Sequence, residues 1–147
     1  PVETYESGTD HSHIHHVREA GPPPRIFMVA RMGAAPQPYA NLVLPLTPGA
    51  VHLGDATGFT GIAFDARGLG RYALQLDIYG VDNAFPFRAA FEAGAETREV
   101  RIPFTAFASR NADLQINLAR LRALIIRLEG EPGGQATLEI GNVRFYR

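Results

Sequence analysis

An alternation of apolar and polar residues over positions 71–79 is the clearest pattern in the chain. Its apolar side consists of Tyr72, Leu74, Leu76 and Ile78. Its other side consists of Arg71, Ala73, Gln75, Asp77 and Tyr79. A period of two residues is that of a β-strand, in which successive side chains point to opposite faces. The pattern therefore predicts a strand that packs one face and leaves the other to solvent or to a ligand.

The same alternation recurs along the chain and defines the fold class. It is repeated at 87–92 and at 123–128, and glycine and proline separate the runs throughout. Short alternating runs with turn residues between them are typical of an all-β sandwich. We predict a two-sheet antiparallel jelly-roll sandwich with strands at 2–6, 26–32, 39–46, 60–66, 71–79, 86–92, 97–102, 123–129 and 136–146.

Spacing of the helical kind is confined to short stretches. Leucines three and four residues apart predict a helix over 113–122. The sequence Pro-Phe-Thr-Ala-Phe at 103–107 predicts a single helical turn. In the last strand, Gly141-Asn142 interrupts the alternation, which predicts a β-bulge.

Residues 7–25 form the least regular part of the pattern. They combine Ser, Thr and His with the run Pro22-Pro23-Pro24, which is typical of a long surface loop. The chain has 147 residues, the size of one ordinary domain. We therefore predict a single β-sandwich domain over 1–147 with a long irregular loop at about 7–25.

Composition excludes several kinds of chemistry. Hydrophobic residues make up 46% of the chain, enough for a core that folds independently. The net charge of −1 argues against a nucleic-acid partner, and the lack of a long apolar stretch argues against membrane insertion. All 14 basic residues are arginine, which excludes lysine Schiff-base chemistry and a phosphate-binding P-loop. The absence of cysteine excludes disulfides and thiol catalysis.

A histidine cluster, His11-Ser-His13-Ile-His15-His16, is the most conspicuous metal-ligating candidate. In an extended chain His11, His13 and His15 share one face, a spacing that lets two imidazoles converge on a zinc ion. Metal-dependent amidohydrolases with such a pair are built on barrels of roughly 250 residues, which this chain is too short to form. We interpret the cluster as a surface segment that binds metal adventitiously. A small metal-dependent hydrolase is the least favoured alternative.

No motif identifies a catalytic residue. The glycines at 68 and 70 lack the third glycine of a dinucleotide fingerprint and precede a strand, so they indicate a tight turn. Ser7, Ser12 and Ser109 all lie outside a Gly-x-Ser-x-Gly elbow. A carboxylate pair for glycoside hydrolysis stays open, because its spacing is spatial. We therefore predict a protein that is not an enzyme.

The polar side of the strands is the best candidate for a binding surface. Its outward or flanking positions hold Asp65, Arg71, Gln75, Asp77, Tyr79, Arg88, Glu92, Arg127 and Glu129. Planar hydrogen-bonding groups bind sugar hydroxyls, and an aromatic ring stacks on the apolar face of a sugar. We predict ligand binding by Gln75, Asp77, Tyr79, Arg88 and Arg127. The alternative is a solvated outer face with weak ion pairs.

Several segments resemble the complex I intermediate-associated protein family. The run Phe-Thr-Gly-Ile-Ala-Phe-Asp-Ala-Arg-Gly-Leu-Gly-Arg-Tyr-Ala-Leu at 59–74 resembles a segment in which a strand ends in Arg-Gly and turns into Tyr-x-Leu-x-Leu. Residues 87–107 resemble the next segment, with its Pro-Phe-x-x-Phe turn, and 138–145 are similar to the closing strand. Residues 2–8, Val-Glu-Thr-Tyr-Glu-Ser-Gly, resemble the opening of related carbohydrate-binding modules.

The resemblance implies a galactose-binding-like jelly roll. Its relatives include assembly chaperones of respiratory complex I, sugar-binding modules and C-terminal appendages of secreted bacterial amidohydrolases. Many hold a structural calcium between an opening Glu and a closing Asp. Glu6 matches the first, Gly141 stands in place of the second, and Glu139 is a substitute ligand. Calcium needs six or more oxygens, so we expect no cofactor and keep structural calcium as an alternative.

These observations lead to one functional hypothesis and one main alternative. We expect a non-catalytic accessory module that binds a carbohydrate or similar polyol on the polar sheet face. The alternative is a protein-interaction or assembly domain whose partner is a protein. The chain begins at Pro1, without an initiator methionine or apolar leader, which fits excision from a larger secreted hydrolase. We therefore favour an extracytoplasmic location.

Overall fold

Two antiparallel sheets pack face to face in the computed structural model, which describes residues 3–5, 12–50, 52–82 and 84–147. Within these residues each sheet has five strands. The strands are β1 Glu3–Tyr5, β2 His13–Glu19, β3 Arg25–Arg31, β4 Tyr39–Pro45, β5 Gly61–Leu69, β6 Arg71–Ile78, β7 Phe87–Phe91, β8 Arg98–Pro103, β9 Leu121–Glu129 and β10 Gln135–Tyr146.

The strand order differs from the chain order in both sheets. The front sheet runs β1-β4-β9-β6-β7 and the back sheet runs β2-β3-β10-β5-β8. All of their neighbouring strands pair antiparallel. The prediction of an all-β, two-sheet antiparallel sandwich is therefore confirmed.

The core lies between the sheets and uses the alternation that the sequence shows. On β6, Leu74, Leu76 and Ile78 are each 2% exposed. Phe64 of the back sheet meets Phe91 of the front sheet edge to face, with ring centroids 5.0 Å apart. Burying a large apolar side chain contributes about 1.5–3 kcal/mol, so this interface fixes which side of each strand faces inward. The opposite side of the front sheet is left free to carry polar groups.

The loop expected at about 7–25 is in part a strand, which corrects that prediction. Strand β2 pairs with β3 along its whole length, from His13 opposite Arg31 to Glu19 opposite Arg25. It is an edge strand, and Ile14 is its one buried residue. A strand that buries so little shows no apolar alternation. The part of the expected loop at 7–11 lies outside the described residues.

The helix expected over 113–122 is also wrong. The structure has a single 3-10 turn there, Leu118–Arg120. The backbone N–H of Ala119 donates to the side-chain oxygen of Asn117, which caps the turn. Leu121 is fully buried and begins β9 by pairing with Ile78. The leucines therefore sit at helical spacing because each of them packs against the core from a turn or a strand.

The other irregular features agree with the sequence. A 3-10 turn at Phe104–Ala106 confirms the turn expected at 103–107. The register of β10 against β5 shifts between Gly141 and Arg144, and Asn142 has a φ of 53°, which confirms the bulge. No helix in the described part of the chain is long and apolar enough to cross a membrane.

The glycine turn after β5 connects the two sheets. Gly70 has a φ of 143° and is the single residue between β5 in the back sheet and β6 in the front sheet. A side chain at this φ would be strained, so glycine permits the abrupt change of direction. Strands β5 and β6 are consecutive in the chain but lie in different sheets. The outward-facing polar residues of β5 therefore lie on the opposite face of the molecule from those of β6.

Candidate functional site

The register of the front sheet brings its outward-facing polar residues together. Asn41 on β4 lies opposite Arg127 on β9, and Gln75 on β6 lies opposite Arg88 on β7. Gln75 also lies opposite Ile125 on β9. Because outward positions on adjacent antiparallel strands are side by side, these residues form one continuous surface.

Small residues lie between the polar ones on this surface. Ala73 and Ala123 face outward with Gln75 and Arg127, yet they are only 3% and 1% exposed. Val43 on β4 is likewise buried, at 4%. Neighbouring side chains therefore cover them. A depression lined mostly by polar residues lies in the front sheet.

This depression is a cleft of about 510 Å³, which we call the front cleft. Its volume falls within the range of small-ligand sites, roughly 300–1,000 Å³. It is lined by Tyr39, Asn41, Gln75, Asp77, Ala84, Pro86, Arg88, Arg110, Arg122, Ile125 and Arg127. A second depression of about 360 Å³ shares Arg88 and Arg127 with it and extends to Arg71, Glu129 and Pro38. The two depressions therefore adjoin on the front sheet at Arg88 and Arg127.

Ion pairs and hydrogen bonds position most of the charged groups. Arg122 donates to Asp77 over 3.0 Å, and the Nε of Arg127 donates to Glu129 over 3.1 Å. Arg88 donates to the amide oxygen of Gln75 over 3.3 Å. The Arg127 guanidinium also lies over the ring of Tyr39, 3.5 Å from the centroid. The polar groups of the cleft are thus held in fixed directions before a ligand arrives.

Three buried polar atoms in the described residues have no hydrogen-bond partner, and all three belong to the front cleft. They are Asn41 Oδ1, Arg88 Nε and Arg122 Nε. A buried polar group left unpaired costs about 1–3 kcal/mol, and native proteins contain few such groups. Their concentration at one cleft makes this surface the candidate for a binding site.

The electrostatic environment of Arg88 is positive. Its pKa is lowered, first because burial disfavours the charged form and then because Arg127 and Arg110 repel it. Glu129 and Tyr39 act in the opposite direction and only partly offset this. The cleft therefore holds more positive charge than its own carboxylates neutralise.

The front cleft contains four of the five residues that the sequence pointed to. Gln75, Asp77, Arg88 and Arg127 all line it. Tyr79 follows the end of β6, is 51% exposed and lies outside the cleft lining. Its ring is covered by Arg120, whose guanidinium carbon is 4.7 Å from the centroid. Of the wider polar set, Asp65 lies on β5 in the back sheet and so belongs to the other face.

Sequence reasoning missed Tyr39, Asn41, Arg110 and Arg122. Tyr39 and Asn41 alternate with buried Ala40 and Leu42, which is a signal that the strand pattern of 39–46 already contained. Arg110 lies between β8 and β9, and its place in the cleft depends on the tertiary fold. Arg122 was assigned to the expected helix, so its position on β9 was not predicted.

The described histidines of the cluster lie on the edge strand β2 and differ in exposure. His13 and His15 are exposed on both sides of buried Ile14, and His16 is half-buried on the same edge strand. His11 lies outside the described residues. Among the residues that are described, no group of three His, Cys, Asp or Glu side chains could hold a metal ion.

Glu139, which the sequence predicts as a substitute calcium ligand, is engaged in ion pairs. Its two oxygens accept from Arg67 over 3.0 Å and from Arg25 over 3.4 Å, and the residue is 6% exposed. Each carboxylate oxygen keeps a further lone pair beside these bonds, so the calcium role of Glu139 stays a prediction. Glu6, the other predicted ligand, lies outside the described residues.

A further depression, about 670 Å³, lies beside the turn between β7 and β8. Residues 92–96 form much of its wall. None of the three unpartnered polar atoms identified among the described residues lies there. The front cleft is therefore the better candidate for a binding site.

Comparison with solved structures identifies the class of fold. Neither a protein-family model nor a curated protein matches the sequence. The structural neighbours include carbohydrate-binding modules, which share the jelly-roll sandwich. The likeness to the complex I intermediate-associated family stays a prediction from short motifs.

Individual neighbours cover nearly the whole chain at low identity. A family 11 carbohydrate-binding module from Clostridium thermocellum, solved in complex with a β-1,3-1,4-mixed-linked tetrasaccharide, has a TM-score of 0.77 at 12% identity. The match covers 99% of this chain and 88% of that one. A family 30 module from the same organism has a TM-score of 0.62 at 10% identity, covering 95% and 84%. An agarase matches with a TM-score of 0.68 at 10% identity over 99% of this chain and 24% of its own.

Proposed function

We propose that this protein is a non-catalytic accessory module that binds carbohydrate in the front cleft. The observation that carries the proposal is the convergence in one cleft of planar polar side chains, three of which retain an unpartnered buried atom. The fold supports it, since the structural neighbours are carbohydrate-binding modules. The agarase match, which covers a quarter of that enzyme, supports an accessory role beside a hydrolase.

The side chains of the cleft complement a sugar in two ways. Asp77 offers a carboxylate that accepts from hydroxyl groups, and the arginines donate to hydroxyl oxygens. Tyr39, held against Arg127, and Pro86 supply apolar surface for the ring. An open groove leaves part of the ligand in water, so we expect single-site dissociation constants of roughly micromolar to millimolar.

A glycan screen with a matched pair of variants tests this proposal. We expect the wild-type protein to bind at least one oligosaccharide class in affinity electrophoresis. Gln75→Ala should weaken that binding about tenfold or more, because it removes an amide from the cleft and leaves Arg88 with one fewer partner. The control is Gln135→Ala, which removes the same side chain from an exposed position on the back sheet.

Two results would contradict the proposal. One is a broad screen in which no glycan binds, which would favour the protein-interaction alternative. The other is an equal loss of affinity in Gln75→Ala and Gln135→Ala, which would place binding away from the front cleft.

A further inference from the structure

We propose that the front cleft selects anionic glycans, whose sugars carry a carboxylate or a sulfate ester. This inference rests on the proposed function and specifies the chemical class of its ligand. It follows from the charge of the cleft. Among the described side chains that line it, the basic ones are Arg88, Arg110, Arg122 and Arg127, and Asp77 is the one acidic residue.

The carboxylates near the cleft leave two of these arginines uncompensated. Asp77 pairs with Arg122, and Glu129 pairs with Arg127. Within the described residues, neither Arg88 nor Arg110 forms an ion pair with a carboxylate, and Arg88 donates instead to the neutral amide of Gln75. The whole chain has a net charge of −1, so the positive excess is a local property of the cleft.

A neutral sugar is a poor complement to this arrangement. Arg88 is half-buried, and the lowered pKa of its guanidinium reflects both burial and repulsion by Arg127 and Arg110. A hydroxyl group supplies one weak hydrogen bond and no charge, whereas a carboxylate or sulfate supplies a countercharge. It also offers several oxygens to the planar fork of a guanidinium, which binds such anions in bidentate fashion. An anion between Arg88 and Arg110 would relieve the repulsion between these two side chains.

The back sheet provides an internal comparison. Four of its outward arginines contact carboxylates on neighbouring strands: Arg25 and Arg67 both pair with Glu139, and Arg101 and Arg144 both pair with Glu99. Each of these guanidinium groups therefore has an anionic partner within the protein. Within the described residues Arg88 and Arg110 have no such partner although both line the front cleft, which points to an external anion at that place.

Matched oligosaccharide pairs test the inference. The uronate arm compares β-1,4-linked oligomannuronate with β-1,4-linked manno-oligosaccharide of equal length, which differ in the carboxylate. The sulfate arm compares a carrageenan oligosaccharide with its desulfated form. Calorimetric titration at one fixed ionic strength should show at least about tenfold tighter binding of the anionic member in one arm, because charge-assisted hydrogen bonds are the stronger kind. The arm that responds distinguishes carboxylate from sulfate.

Arginine variants distinguish the cleft from general attraction to a polyanion. Arg110→Gln removes one charge from an exposed position in the cleft, and Arg31→Gln removes one from an exposed position on the back sheet. Long-range attraction changes alike in the two variants. We expect Arg110→Gln to reduce the ratio of anionic to neutral affinity at least about fivefold, and Arg31→Gln to leave it within about twofold. Arg88→Gln should act like Arg110→Gln.

The possible failures are separate from those of the proposed function. Equal binding of the anionic and neutral members, or preference for the neutral one, overturns this inference and leaves carbohydrate binding intact. Equal effects of Arg110→Gln and Arg31→Gln also overturn it. Absence of binding to every glycan in both the matched pairs and the broad screen contradicts the proposed function itself.

Discussion

Tyr72 connects the two sheets through a single side chain. Its ring stacks on Phe91 of the neighbouring strand, with centroids 5.4 Å apart. Its hydroxyl donates to the carbonyl oxygen of Thr137 on β10, in the opposite sheet. The residue is 3% exposed, and burial raises the pKa of the phenol to about 12. A hydroxyl in the core is thus tolerated because it has a partner there.

This raised pKa predicts a loss of stability at alkaline pH. The unfolded phenol ionises near pH 10 and the folded one near 12. The folded state therefore holds its proton more tightly, so the contribution is complete below pH 10 and falls as the pH rises toward 12. We expect the difference in unfolding free energy between the wild type and Tyr72→Phe to shrink over this range, measured by urea denaturation. A difference that stays constant from pH 9 to 12 would contradict this account.

Individual side chains also show how far the sequence determines the site. Gln75, Asp77, Arg88 and Arg127 were predicted because their own strands alternate clearly. Arg110 and Arg122 were not, since one lies in a connection between strands and the other beside a misread turn. Asn41 lies in the cleft because β4 pairs with β9 in the register that places Asn41 opposite Arg127. The alternation along a single strand does not reveal the register between strands, so this position could not be predicted.

At the scale of elements, the close approach of β5 and β10 depends on a glycine. A Cβ at Gly68 would collide with the carbonyl oxygen of Thr137 and lie 2.5 Å from the Tyr72 hydroxyl. A side chain there would separate the two central strands of the back sheet or displace the tyrosine. The absence of a side chain at position 68 therefore supports both the strand pairing and the contact between sheets.

Replacing this glycine should destabilise the fold. We expect Gly68→Ala to lower the free energy of unfolding by about 1–3 kcal/mol, the usual cost of forcing an extra carbon into a packed core. Gly58→Ala is the matched control, because a Cβ at Gly58 meets nothing within 4 Å. Thermal or urea unfolding of the two variants provides the measurement. Equal stability of both variants would show that the strands have room to adjust.

The elements that the sequence failed to predict share a physical cause. Strand β2 lies at a sheet edge and Ile14 is its one buried residue, so its other positions can be polar. The stretch at 113–122 has apolar residues at helical spacing because Leu114, Ile116 and Leu118 pack against the core without forming a helix. The central strands were predictable because each buries a continuous face, as β6 does.

At the scale of the whole molecule, the two outer faces differ in how their arginines are paired. Glu139 and Glu99 each pair with two arginines on the back sheet. Within the described residues Arg88 and Arg110 of the front cleft pair with no carboxylate. A net charge near zero carries no information about this local difference. The proposed function therefore depends on where the strands place the arginines, which composition does not reveal.

The measurement that tests the central claim most directly is an NMR titration of the ¹⁵N-labelled protein with a glycan that it binds. We predict that the largest amide shift changes fall on β4, β6, β7 and β9, around Asn41, Gln75, Arg88 and Arg127. Amides of β2, β3 and β10 should change little, because these strands lie in the other sheet. Shift changes concentrated on the back sheet would contradict the assignment of binding to the front cleft.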